Sequence, residues 1–91
     1  MKDLLRQGEQ QWSALLRRAA EGDAGAFEDF YRHSVRWSLA LARNLVVETE
    51  VEGLLTRLYV TAWQELQAGA APQSATRWLE TLALQLAGST G

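Results

Sequence analysis

Arg32, Arg36 and Arg43 recur four and seven residues apart. On a helix that spacing sets three guanidinium groups on one face. A guanidinium forks onto phosphate or carboxylate, so such a face can hold nucleic acid or an acidic protein surface. Arg17 and Arg18 add two cations upstream. Glu28 and Asp29 stand on the same segment, and a solvated face of balanced charge is the plainer expectation. The whole chain leans the same way, with nine basic residues, eleven acidic ones and a net charge of −2. A free nucleic-acid binder usually shows a basic balance or a basic face.

Other reactive types do not assemble. His33 is the one histidine and there is no cysteine, so no metal cluster, thiolate site or disulfide is expected. Glu28 and Asp29 are adjacent and point in different directions on a helix, so they do not form a carboxylate pair for acid–base work. Ser13, Ser34, Ser38 and Ser74 have no histidine–acid partner set, and capping or packing accounts for them better. No glycine-rich phosphate loop exists. The chain reads as a non-enzyme without cofactors. Trp63 and Trp78 offer flat faces for stacking bases, but both fall on apolar stripes and belong to a core. Gly53, Thr56, Thr61 and Gln64 make a low-charge outer surface on one helix. Such a surface can pair with another helix, including its own copy in a homodimer. Trp12 and Trp37 are expected to be partly exposed, where they either anchor an interface or cover the ends of a small core.

Ninety-one residues make one small domain, residues 1–91. An apolar fraction of 47% is too high for a disordered chain. Four tryptophans add large area for burial. No apolar run approaches a membrane span and the N-terminal segment has no signal-peptide core, so a soluble cytoplasmic protein without membrane contact is expected. The helices read off the spacing. Residues 1–8 are polar and expected to be flexible, with Gly8 opposing a continuous helix. Residues 9–21 form a first helix that Gly22 stops, and Asp23 caps the next one, residues 24–46. Ser34 and Ser38 lie within or beside its apolar band, which predicts close packing against a neighbour there. Thr49 and Glu52 have the spacing of a capping box for a third helix that runs to Gln67. Gly69 and Pro72 break the chain, and Ser74 caps a fourth helix over residues 75–87. Residues 88–91 are expected to be a loose tail. The fold class is all-α, a compact bundle of about four helices on one core.

VEGLLTRLYVTAW, residues 51–63, carries Val51, Leu54, Leu55, Leu58, Tyr59, Ala62 and Trp63 on one stripe. Upstream, SALLRRAAEGDAGAFEDFYRHSV places Gly22, Asp23, Phe27 and Tyr31 in a Gly-Asp break followed by a Phe-led helix. Downstream, ATRWLETLALQLA places Trp78, Leu79, Leu82, Ala83, Leu86 and Ala87. In this order and spacing the three pieces resemble the second conserved domain of bacterial sigma factors of the extracytoplasmic-function type. The resemblance covers about residues 13–87 and implies the sigma-factor core-binding fold.

The resemblance also implies a function. That domain binds the clamp helices of the RNA polymerase β′ subunit and melts and reads the minus-ten promoter element. Carried onto this chain, the polymerase- or partner-binding positions are Glu52, Gly53, Thr56, Arg57, Val60 and Gln64. The nucleic-acid positions are Arg77 and Trp78. The chain departs from the family pattern at several of them. Gly53 stands where an acid is usual, and Thr56 and Arg57 stand where a Gln-Glu pair is usual, so a Glu has become a cation. Residues 64–91 hold one basic residue, Arg77, against Glu65 and Glu80. Ala75 and Glu80 take places that often hold aromatics, and Leu84 and Gln85 take places that often hold Arg and Asn. The family's second helix-turn-helix domain has no counterpart in these residues, which leaves open a fragment of a longer factor or a stand-alone degenerate relative. Two functions follow as expectations. One is a transcription-initiation module that binds polymerase core and promoter DNA. The other is a degenerate sigma-like protein-binding module, a decoy or adaptor for an anti-sigma factor, a sigma factor or another regulator.

Overall fold

The computed structural model describes residues 2–88, with side chains from residue 8 onward. It consists of four helices: α1 (Lys2–Ala20), α2 (Ala24–Leu45), α3 (Glu48–Gln67) and α4 (Ala75–Gly88). Of the loose tail expected over residues 88–91, Gly88 instead ends α4, and residues 89–91 lie outside the described residues. No described helix is long and apolar enough to cross a membrane.

The joints between helices explain the path. After α1, Gly22 adopts φ 99°. Its N–H donates to the Ala19 carbonyl and the Asp23 N–H donates to the Arg18 carbonyl, the paired closure of a Schellman motif. Asp23 then caps α2 by accepting from the Ala26 N–H at 3.0 Å. The same closure ends α3. Gly69, at φ 107°, donates to Leu66, and Ala70 donates to Glu65. Ser74 caps α4 through the Arg77 N–H at 3.3 Å.

Two local expectations are corrected. Helix α1 starts at Lys2, ahead of residue 9, and passes through Gly8. Glycine costs a helix interior about 1 kcal/mol relative to alanine, and the surrounding Leu, Arg, Gln and Glu are strong enough helix formers to carry it. The capping box is also absent. Val47 is the N-cap residue of α3, no side chain caps it, and Thr49 falls inside the first turn. The chain leaves α2 through two extended residues, Val46 and Val47, which start α3 one position ahead of Thr49. Glu48 and Glu50 then sit against the positive end of the helix dipole.

The core forms where the four apolar stripes meet. Leu16 and Ala19 come from α1, Phe30 from α2, Leu58, Tyr59, Ala62 and Leu66 from α3, and Ala75, Leu79, Leu82 and Ala83 from α4. A smaller cluster of Ala42, Val51 and Leu54 closes the α2–α3 end. Each large side chain buried this way contributes roughly 1.5–3 kcal/mol. Aromatic edges seal the flanks: Trp12 meets Phe30 at 6.1 Å and Trp37 at 6.2 Å, and Phe27 meets Trp63 at 5.2 Å between ring centres. Tyr31, placed by its spacing in the apolar band, is 44% exposed, although its ring edge meets Tyr59.

Ser34 and Ser38 are buried, and both hydroxyls lie 2.7 Å from the Tyr59 hydroxyl. Proton counting gives the chain a direction. Ser34 donates its one proton to the Phe30 carbonyl at 2.7 Å. Tyr59 therefore donates to Ser34, and Ser38 donates to Tyr59. Close packing at the two serines thus occurs, through a polar chain that ties α3 to α2.

Candidate partner-binding face

The register of α3 decides what it shows to solvent. Val51, Leu54, Leu58, Tyr59, Ala62 and Leu66 face inward and are buried. At 100° per residue, the opposite face carries Gly53, Thr56, Arg57, Val60 and Gln64, with Glu52 at its edge. All six are exposed. The structure therefore brings together every position assigned to partner binding. Val60 lies at the middle of this face and is 50% exposed. A Cβ placed on Gly53 would meet nothing within 4 Å. The glycine therefore leaves a hollow on the helix surface that no part of the domain fills.

The polar groups on this face are mostly uncommitted. Thr56 turns its hydroxyl onto its own helix and donates to the Glu52 carbonyl at 3.1 Å. With the capping box absent, the Glu52 carboxylate has no hydrogen-bond partner among the described residues. Arg57 makes no ion pair among them either. The face thus presents one free anion and one free cation on either side of a hollow and a valine.

The two nucleic-acid positions are placed differently. Arg77 is exposed and makes no ion pair among the described residues. Trp78 packs against the main core cluster, which consumes much of the ring that stacking would need. The arginine face of α2 is partly spent. Arg32 pairs with Glu28 at 3.5 Å and Asp29 at 3.9 Å, and Arg43 pairs with Glu48 at 3.6 Å. Of the three, Arg36 alone lacks an ion pair among the described residues. His33 is exposed, and no group of metal-binding side chains occurs among the described residues.

Glu9 is a residue that the spacing does not reveal. From α1 it reaches the start of α4 and accepts from the Thr76 hydroxyl at 2.8 Å, the Thr76 N–H at 3.2 Å and the Ser74 hydroxyl at 3.1 Å. Burial pushes its pKa up, but these bonds outweigh burial and hold it below the ordinary glutamate value. The acid thus acts as a second cap on α4, supplied from 65 or more residues away. Gln67 is another such tie: its side-chain amide donates to the Ala19 carbonyl at 2.9 Å. Glu9 carries one signal, a polar residue on the Leu16 side of α1, whereas Gln67 is exposed at the end of α3 and carries none.

No family model, no curated protein and no solved structure matches the chain.

Proposed function

We propose that the chain is a sigma-like helical module that binds a helical protein partner through the outer face of α3 and does not open promoter DNA. The observation that carries this reading is the shared, uncovered face of Gly53, Thr56, Arg57, Val60 and Gln64. A partner helix laid across it finds a hollow at Gly53 for close approach and an apolar contact at Val60. An acid on the partner finds a free guanidinium at Arg57. Resemblance to the extracytoplasmic-function sigma factors names the partner classes, which are the polymerase β′ clamp and a sigma or anti-sigma regulator. Arg57 stands where that family carries an acid, and a reversed charge at one contact can turn attraction into repulsion. That favours a regulator over the clamp.

Promoter melting has thin support. Phosphate contacts supply much of the affinity in protein–DNA complexes, and Arg77 is the one basic residue of α4. Trp78 is half-buried. The test is retention on core RNA polymerase and on a panel of sigma and anti-sigma proteins, with a promoter-DNA shift at low salt alongside. Binding to a regulator that Arg57→Glu abolishes, with no DNA shift, supports the proposal. Retention on core polymerase together with promoter opening overturns it and restores the initiation reading. Self-association through α3, read from sedimentation, would make the partner a second copy.

A further inference from the structure

A second surface, built from none of the α3 residues above, has the composition of a small-molecule site. It is a groove of about 540 Å³ between α1 and the segment that joins α3 to α4. Its floor is aliphatic: Leu16, Ala20, Ala70, Ala71 and Pro72. Ser13, Arg17 and Gln73 gather at one end, where the groove continues into a shallower one lined also by Gln10 and by Glu9, whose carboxylate is already bonded to Ser74 and Thr76. None of the Ser13, Arg17 and Gln73 side chains has a hydrogen-bond or ion-pair partner among the described residues. Glu21, four residues beyond Arg17, also lines the groove.

The groove is preformed. Its outer wall is the α3–α4 joint, which is fastened to α1 at both ends. The Gln67 amide holds one end to the Ala19 carbonyl at 2.9 Å. The Glu9 carboxylate holds the other through Ser74 at 3.1 Å. A ligand therefore enters without having to order the wall, which lowers the entropic cost of binding. An apolar cleft of a few hundred Å³ with a few converging polar groups is the usual form of a ligand site.

We propose that this groove binds a small aliphatic carboxylate. The carboxylate takes the guanidinium fork of Arg17, with the Ser13 hydroxyl and the Gln73 amide completing its hydrogen bonds. The alkyl body lies on Ala20, Ala70, Ala71 and Pro72. A peptide is a poorer occupant, because the aliphatic floor carries no side-chain donors for its amides and each amide left unpaired costs binding energy. The site is independent of the α3 face, so either can fail without the other.

The experiment titrates the domain with octanoate, octanol and octylamine and follows amide shifts by NMR. Octanoate is expected to bind about two- to fivefold more tightly than octanol, the contribution of one ion pair at an exposed guanidinium. Arg17→Gln, shown to be folded by circular dichroism, is expected to erase that difference. Arg36→Gln, on the exposed side of α2, is expected to preserve it. Equal binding of octanoate and octanol, tighter binding of octylamine, no effect of Arg17→Gln, or no saturable binding would each overturn the proposal.

Discussion

Glu9 on α1 accepts a 2.8 Å hydrogen bond from the hydroxyl of Thr76 in the first turn of α4. The pair joins the two ends of the fold, and it is ionic on one side only. The carboxylate stabilises α4 while it is charged, because its bonds are made to the anion and the helix end is positive.

A pH dependence follows from that pair. Burial raises the Glu9 pKa, the bonds from Thr76 and Ser74 together lower it by more, and the folded value ends below 4.5. A carboxyl depressed on folding contributes its full stability above its unfolded value and loses it as the pH falls through the folded value. Asp23, held down by the Ala26 N–H and then by Arg18, acts in the same direction. Glu9→Gln is therefore expected to cost about 1 kcal/mol at pH 7, the scale of a lost helix cap. It should also flatten the acid limb of the stability curve below about pH 4.5. Urea unfolding across pH 3–7 reads both effects, and an unchanged acid limb would count against the Glu9 latch.

The Tyr59 hydroxyl is the middle link of the polar chain between α2 and α3. Tyr59→Phe removes the one acceptor that Ser38 uses, and Ser38 is buried. The expected loss is about 1–3 kcal/mol, the cost of a buried unpaired hydroxyl. Ser38→Ala combined with Tyr59→Phe should recover part of it, since the orphaned group is then gone. Burial also raises the Tyr59 pKa, against the hydrogen bonds it shares with Ser34 and Ser38. Its contribution is complete below pH 10 and is lost as the pH climbs through the raised folded value. Alkaline unfolding of the two variants beside the parent measures this.

The fold was legible where periodicity and joint chemistry agree. Leu54, Leu58 and Ala62 repeat at helical spacing and all three are buried. Gly22 with Asp23, and Gly69 followed by Ser74, mark their joints by residue type alone. Thr49 and Glu52 misled because Val46 and Val47 set the start of α3, and an extended pair of valines carries no capping signature. Glu9 and Gln67 were illegible for a different reason. Their bonds close across 65–67 and 48 residues, and no local pattern encodes such a partner. The α3 face was legible because it is the complement of an apolar stripe. The groove at Arg17 was not, since its two walls meet through the tertiary fold.

Trp78 separates the core reading from the base-stacking reading. It packs on the cluster that contains Leu79 and Leu82. Trp78→Ala is expected to destabilise the domain by about 2–4 kcal/mol, near the range for large aromatics cut back in a core. Thermal unfolding should drop by several degrees for each kcal/mol lost in a domain of this size. A neutral effect on stability, joined to weaker DNA binding, would assign the ring to nucleic acid instead.

Gly53 tests the α3 face most sharply, because the two sides of the prediction run in opposite directions. Glycine inside a helix costs about 0.5–1 kcal/mol relative to alanine. At Gly53 the domain has nothing within 4 Å of the missing Cβ, so no internal packing explains the residue. Gly53→Ala is therefore expected to stabilise the isolated domain by that amount. If a partner helix approaches closely there, the same methyl fills the hollow and weakens binding. Arg57→Ala is expected to leave stability within about 0.5 kcal/mol, as at exposed sites with no structural role, and to weaken binding to the same partner. Chemical unfolding and a binding isotherm on the same samples decide it. Gain of stability with intact binding would remove Gly53 from the contact, and a loss of stability would mean that the hollow serves the fold.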